Sequence, residues 1–141
     1  MTSREPKIEL ILHFANGGRL TPEDIALIDA IRASRSIIGA GRATGISYRK
    51  CWLMADALNR TFESPVFVSY PGRKEAGSEI TPFGERLVAL YRSIERRANS
   101  ASTAALKELE SALNQAYRSR ASDAASERTE PAPRRQRSRP S

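Results

Sequence analysis

The chain has 141 residues, a length that suits one small domain with appended segments. Its 23 lysines and arginines outnumber 16 acids, giving a formal net charge of +7. This excess favours a polyanionic partner such as nucleic acid, because cations placed on phosphates release counterions. A single cysteine and a single histidine exclude an intramolecular disulfide and a metal site built on either residue type.

Two further classes are disfavoured by the residue pattern. The chain has no apolar run near the roughly 20 residues that span a bilayer, and its N-terminus does not read as a signal peptide. We therefore expect a cytoplasmic, nucleoid-associated protein with no membrane partner. No cofactor is indicated.

The first elements are a short strand and a capped helix. Residues 7–14 alternate imperfectly between apolar and polar side chains, which predicts a strand, and the Gly-rich residues 15–20 predict a turn. Thr21 followed by Pro22 is typical of a helix start, because threonine caps free amides and proline lacks the N–H that would go unpaired. An apolar stripe extends this helix to about Ala33.

The next residues predict a helix-turn-helix. Ser36 is a cap for a helix over 37–44, Gly45 supplies the turn, and Ser47 caps a third helix that runs to about Thr61. In this motif the second helix of the pair enters the major groove of duplex DNA.

The third helix has two distinct predicted faces. Cys51, Ala55 and Leu58 recur at helical spacing and predict the buried face. The opposite face carries a hydroxyl, a phenol, a guanidinium and an indole, groups that suit phosphates and base edges. Taken singly, Trp52 could equally be a core tryptophan and the cations could be solvated charge. The predicted DNA-contacting residues, including two cations of the hairpin described next, are Ser36, Arg42, Ser47, Tyr48, Arg49, Lys50, Trp52, Leu53, Arg73 and Lys74.

A β-hairpin is predicted after the third helix. Residues 66–70 and 78–80 read as strands, and the turn between them carries Arg73 and Lys74. Such a wing can lie along phosphates, although a merely solubilising turn accounts for the two cations equally well.

The C-terminal third is predicted to contain a long helix, an oligomerisation segment and a disordered tail. Thr81-Pro82 repeats the cap-then-proline start, and residues 98–103 are polar enough to bend or interrupt the helix. An apolar stripe then resumes and needs a partner surface. Residues 121–141 are rich in Ala, Ser, Arg and Pro and predict disorder. The predicted dimerisation residues are Leu106, Leu109, Leu113 and Tyr117.

The segment ATGISYRKCWLMADALNR, residues 43–60, resembles the N-terminal DNA-binding domain of molybdenum-dependent transcriptional regulators of the ModE type, a winged-helix group related to LysR-type regulators. The resemblance runs from about Leu20 to Arg97. It implies a dimer formed through the first strand region and the long C-terminal helix. The matching residues are Gly45, Ile46, Ser47, Tyr48, Arg49, Trp52 and Asn59, with Ile80-Thr81-Pro82-Phe83-Gly84 after the wing.

The chain departs from this family in two places. Its wing, PGRKEAGSE, is shorter than the family's glycine-rich one. Full-length members carry C-terminal molybdate-binding domains, whereas only about twenty residues follow Arg120. We therefore expect no molybdate site in this chain.

The sequence thus predicts a mainly α fold with a small β-hairpin wing. Residues 1–97 would form a winged helix-turn-helix domain, 98–120 a helical dimerisation segment and 121–141 a tail. The expected function is a homodimeric DNA-binding transcriptional regulator. The alternatives are a non-specific nucleoid-organising protein and a protein–protein adaptor.

An enzyme is not expected, because no constellation of catalytic residues emerges. Cys51 lies on the predicted buried face, where thiols are usually inert, and no motif places His13 beside a nucleophile. The chain has neither a P-loop nor a dinucleotide fingerprint.

Overall fold

A computed structural model describes residues 5–69 and 77–118 of the chain. These residues form a mostly helical structure with two small antiparallel sheets. The elements in chain order are β1 (Leu12–His13), β2 (Arg19–Leu20), α1 (Pro22–Ser34), α2 (Ile37–Thr44), α3 (Tyr48–Thr61), β3 (Phe67–Ser69), β4 (Ser78–Ile80), α4 (Pro82–Ala101) and α5 (Thr103–Ser111).

Helix α1 begins at the predicted cap. The Thr21 hydroxyl accepts the Asp24 N–H at 3.0 Å, and the Asp24 carboxylate accepts the Thr21 N–H at 3.0 Å. This reciprocal pairing is a capping box, and Pro22 occupies the first helical position. The predicted start of α1 is therefore confirmed.

One hydrophobic core joins α1 to the surrounding helices and to the β3–β4 hairpin. Its members are apolar side chains that recur at helical spacing on α1, α3 and α4, together with residues of β2, α2 and β3 and Val66 just before β3. The buried residues are Leu20, Ile25, Leu27, Ile28, Ile31, Ile37, Ala40, Cys51, Ala55, Leu58, Val66, Phe67, Leu87, Val88 and Tyr91.

Helices α2 and α3 have the predicted bounds and caps. The Ser36 hydroxyl accepts the Gly39 N–H at 2.8 Å, and the Ser47 hydroxyl accepts the Lys50 N–H at 3.1 Å. Gly45 ends α2 with a φ of 78°, a left-handed conformation that glycine adopts without steric cost. The predicted bounds of the two helices and the glycine turn between them are confirmed.

The β3–β4 hairpin follows α3 and is antiparallel, with Phe67 opposite Ile80 and Ser69 opposite Ser78. The Ser78 N–H also donates to the Arg35 carbonyl at 3.1 Å. Arg35 has a left-handed φ of 61° just after α1, and its carbonyl links the end of α1 to β4. This bond ties the hairpin to the helical part of the fold.

The N-terminal strand prediction was wrong in extent. Only Leu12–His13 form a strand, and they pair with Arg19–Leu20, which the sequence placed in a turn. The preceding backbone bonds to α4 side chains instead: Ile8 donates to the Asn99 Oδ1 at 3.2 Å, and the Leu10 carbonyl accepts the Tyr91 hydroxyl at 2.7 Å. These side chains satisfy backbone groups that a strand partner would otherwise pair.

The C-terminal prediction was partly wrong. Helix α4 continues to Ala101, and the predicted interruption falls at Ser102. The apolar stripe predicted to Tyr117 is not helical throughout, because α5 ends at Ser111. Beyond it, the Asn114 Oδ1 accepts the Ala116 N–H at 2.9 Å, a local side-chain bond that competes with helical pairing.

The chain divides into two units, Met1–Leu106 and Lys107–Ser141. The predicted boundary between residues 97 and 98 falls inside α4. No helix within the described residues is long and apolar enough to cross a membrane.

Candidate nucleic-acid interface

The inner face of α3 is sealed against the core. Cys51, Ala55 and Leu58 are buried, as predicted, and the Cys51 thiol lies 3.7 Å from the Ile46 carbonyl oxygen. Burial raises the pKa of the Cys51 thiol, so the residue is held as a neutral, enclosed group. The side chains on the opposite side of the helix are exposed.

The centre of the outward face carries an arginine and a leucine. Successive residues of an α-helix are rotated by about 100°, which sets Arg49 and Leu53 opposite the buried residues. Both side chains are exposed, Leu53 by 55%. A guanidinium can bind the edge of a guanine, and a neighbouring apolar side chain can contact a thymine methyl group.

Arg60 shares this outward face and was missed as a candidate from the sequence. Its Nε donates to the Asp56 carboxylate at 2.9 Å, one helical turn away. An acid four residues before a basic residue on a helix indicates such a pair, and this spacing is present in the sequence.

One flank of α3 carries Tyr48 and Trp52. Both are exposed, by 54% and 46%, so the alternative of a core tryptophan is wrong. The Trp52 indole N–H donates to the Tyr48 hydroxyl at 2.7 Å. The sequence assigned this N–H to an acceptor on DNA, but in the free chain its acceptor is the neighbouring phenol.

The other flank carries Lys50, which is exposed but not isolated. Its Nζ lies 3.4 Å from the carboxylate of Glu23, at the start of α1. An exposed pair of this kind contributes at most about 1 kcal/mol, so a phosphate can compete for the ammonium group. Lys50 points to a different edge of the surface from Tyr48.

A groove of about 450 Å³ lies beside the turn between α2 and α3. It brings Arg42 of α2 together with Tyr48 of α3, two of the predicted contact residues. Exposed Ile38 contributes apolar area to the same groove. Its lining residues are Ile38, Gly41, Arg42, Gly45, Ile46 and Tyr48.

The remaining predicted site residues lie outside the exposed centre and flanks of α3. The Ser36 and Ser47 hydroxyls cap their own helices, as described above. Arg73 and Lys74 lie outside the described residues, so the wing-tip contacts stay a prediction. Leu109, Leu113 and Tyr117 of the predicted dimerisation set are at least 60% exposed, whereas Leu106 is half-buried. No group of three potential metal ligands occurs in the part of the chain that the structure describes.

The chain is similar over part of its length to curated molybdenum-related proteins. It is 40% identical over 80 residues to the molybdenum-pterin-binding protein MopB of Rhodobacter capsulatus, which covers 56% of this chain and 30% of MopB. It is 34% identical over 86 residues to the molybdenum transport protein ModE of Azotobacter vinelandii, covering 60% and 32% of the two chains. It is 30% identical over 78 residues to the transcriptional regulator ModE of Haemophilus influenzae, covering 55% and 31%.

The chain therefore spans about a third of the length of the curated relatives that it matches. No family model matches it. The similarity agrees with the kind of family inferred from the residues, and it concerns a region shared by proteins named for molybdenum binding, transport and transcriptional regulation.

Proposed function

We propose that this chain is a winged helix-turn-helix DNA-binding regulator of transcription that inserts α3 into the major groove. The observation that carries the proposal is the outward face of α3, where Tyr48, Arg49, Trp52 and Leu53 stand exposed on a helix sealed behind by buried residues. Apolar side chains that are exposed next to one another, rather than singly, are typical of an interaction surface.

The hairpin after α3 supports the winged form of the motif. Asn59 in the last turn of α3 accepts the N–H groups of Val66 and Phe67 at 2.8 and 3.0 Å, which ties the hairpin directly to the recognition helix. In this proposal Arg73 and Lys74 at its tip add sequence-independent affinity for phosphates. The winged domain would comprise residues 1–97.

The names of the relatives support regulation as the purpose of DNA binding. The protein from Haemophilus influenzae is named a transcriptional regulator, and it matches 55% of this chain. We carry over regulation alone, with duplex DNA in the cytoplasm as the partner. We do not carry over molybdenum binding, which is stated only in the names of the relatives.

We further propose that the regulator is a homodimer. Leu90 and Ile94 of α4 are 44% and 42% exposed and lie one turn apart, and Ile11 in the segment before β1 is 51% exposed. Apolar side chains left exposed at these positions suit a second copy of the chain. The predicted segment 98–120, with Leu109 and Leu113, offers an alternative apolar surface for the same purpose.

A binding competition tests the proposed function. Duplexes that the protein selects from a random-sequence pool are titrated against unselected duplex at fixed salt. We expect the selected sequence to bind about 10³-fold or more tightly. Near-equal affinities with a steep salt dependence would instead identify a non-specific nucleoid-organising protein. Failure to bind any duplex at low salt would favour the adaptor.

A further inference from the structure

The hydrogen bond between Trp52 and Tyr48 is the least expected contact on the outward face of α3. The donor and acceptor atoms are 2.7 Å apart, at the short end for an N–H···O bond. The two residues are four positions apart on one helix, where side chains lie side by side. Both rings remain about half exposed, so water was available as an alternative partner for each polar group.

This bond changes what each side chain can offer to a ligand. An indole has one N–H and no acceptor, so Trp52 has no second hydrogen to give. A phenol both donates and accepts, and the Tyr48 oxygen already accepts from Trp52. The hydroxyl proton is therefore what Tyr48 retains for a ligand, and the indole restricts the direction in which it points.

The surroundings of Tyr48 also favour an acceptor as the ligand. Tyr48 lines the groove beside the helix–turn–helix turn together with Arg42, whose guanidinium only donates. Within residues 5–69 and 77–118, no acidic side chain lines this groove. A phosphate oxygen or an acceptor atom on a purine edge matches these donors, whereas an exocyclic amino group does not.

We propose that Trp52 is a positioning residue that holds the Tyr48 hydroxyl as a donor to a hydrogen-bond acceptor on DNA. This inference rests on the proposed DNA-binding function and deepens it. In this inference the Tyr48 phenol, rather than the Trp52 indole, makes the polar contact with DNA. Trp52 acts only through Tyr48.

A double-mutant cycle tests the coupling. Tyr48→Phe removes the hydroxyl and Trp52→Phe removes the N–H, while both keep an aromatic ring. We expect each single variant to bind the selected duplex about three- to tenfold more weakly, the range of one net hydrogen bond. In the Tyr48→Phe background, Trp52→Phe should add less than a twofold loss, because the indole acts through the hydroxyl.

Ser64→Ala is the matched control for loss of a hydroxyl, since Ser64 is exposed and lies outside α3. It should leave the affinity unchanged. Additive losses at the two positions, or no loss from Tyr48→Phe, would overturn the positioning role. Circular dichroism of each variant confirms that the helices are retained.

A spectroscopic readout separates this inference from the proposed function. Trp52 is the only tryptophan, so the protein has a single indole N–H resonance in a ¹H–¹⁵N spectrum. Tyr48→Phe should shift this resonance upfield and Ser64→Ala should leave it in place, both without DNA. An unmoved resonance would overturn the inference. A shifted resonance in a protein that binds no duplex would overturn the proposed function, and the role on DNA with it.

Modified duplexes identify the acceptor. Methylphosphonate substitution at single phosphates removes a phosphate acceptor, 7-deazapurines remove the N7 atom of single bases, and 2-aminopurine in place of guanine removes its O6 atom. At the modification that deletes the true acceptor, wild type and Tyr48→Phe should bind equally. If the two proteins differ on every modified duplex as they do on the unmodified one, the donated hydrogen bond is absent and the inference fails.

Discussion

Arg49 differs from the other cations of α3 in being unengaged. Lys50 lies beside Glu23 and Arg60 is bonded to Asp56, whereas Arg49 forms no hydrogen bond or ion pair within residues 5–69 and 77–118. The Arg49 guanidinium can therefore bind guanine or phosphate without first breaking a contact within the described part of the protein.

Arg49→Ala should therefore weaken binding to the selected duplex by about 1–3 kcal/mol, the magnitude of one good base contact. Fluorescence anisotropy at fixed salt measures the change. Arg32→Ala is the matched control, since Arg32 lies on α1 and pairs with Asp29 and Glu85. Equal losses in the two variants would mean that net charge, rather than position, determines affinity.

At the scale of elements, the junction between α3 and β3 depends on one amide side chain. The Asn59 Oδ1 accepts two backbone N–H groups, and its Nδ2 donates to the Phe67 carbonyl at 3.2 Å. Without the side chain, both N–H groups are left in a partly buried position with no acceptor. Buried polar groups left unpaired are costly.

Asn59→Ala is expected to lower the free energy of unfolding by about 1–3 kcal/mol. Urea denaturation followed by circular dichroism provides the measurement. Asn114→Ala is the comparison, because the Asn114 side chain bonds only to nearby backbone. Similar midpoints for Asn59→Ala and wild type would show that the junction does not depend on the amide.

The start of α4 makes a close contact with the same hairpin. A Cβ atom added at Gly84 would lie 2.7 Å from the Val66 carbonyl oxygen and 2.6 Å from the Ile80 Cγ1. Replacing glycine by alanine within a helix ordinarily stabilises it by up to about 1 kcal/mol. Here the steric overlap opposes that gain.

Gly84→Ala should for this reason destabilise the protein, by about 1–3 kcal/mol, the usual cost of overpacking. Ser100→Ala, at an exposed position of the same helix, should leave thermal stability nearly unchanged or raise it slightly. A higher melting temperature for Gly84→Ala than for wild type would contradict the close packing of α4 on the hairpin.

The elements that the sequence predicted well are those with local signals. The caps at Thr21, Ser36 and Ser47 and the turn at Gly45 depend on side chains and backbone within a few residues, so their residue types were sufficient. The outward face of α3 followed from the same helical periodicity.

The predictions that were wrong concern segments whose contacts cannot be inferred from hydrophobic periodicity. The backbone near Ile8 and Leu10 bonds to α4 side chains distant in sequence, and periodicity alone read that segment as a strand. The end of α5 is accompanied by the Asn114 bond, which an apolar stripe does not reveal. The Trp52–Tyr48 bond joins residues four positions apart on one helix, a spacing that is present in the sequence.

At the scale of the whole molecule, two apolar surfaces are candidates for the proposed dimer interface. One consists of Leu90 and Ile94 on α4, and the other consists of Leu109 and Leu113 beyond it. A homodimeric regulator doubles its contacts with DNA, so the loss of dimerisation weakens binding even when α3 is intact.

Sedimentation velocity distinguishes the two surfaces. Leu90→Glu with Ile94→Glu places charges on α4 and should convert a dimer into a monomer while the helical content is retained. Leu109→Glu with Leu113→Glu is the paired variant and should leave the dimer in place. The reverse pattern would assign dimerisation to the segment predicted from the apolar stripe.

Because Cys51 is buried, the reactivity of the chain's single thiol can be used to measure the opening of α3. A maleimide reagent reaches the sulfur only when this helix lifts away from the Ile46 carbonyl, because the side chain has no exposed area in the folded state. The labelling half-life therefore reports how often α3 detaches. If α3 binds DNA as proposed, a bound duplex that restrains this helix should lengthen the labelling half-life, with no residue introduced for labelling.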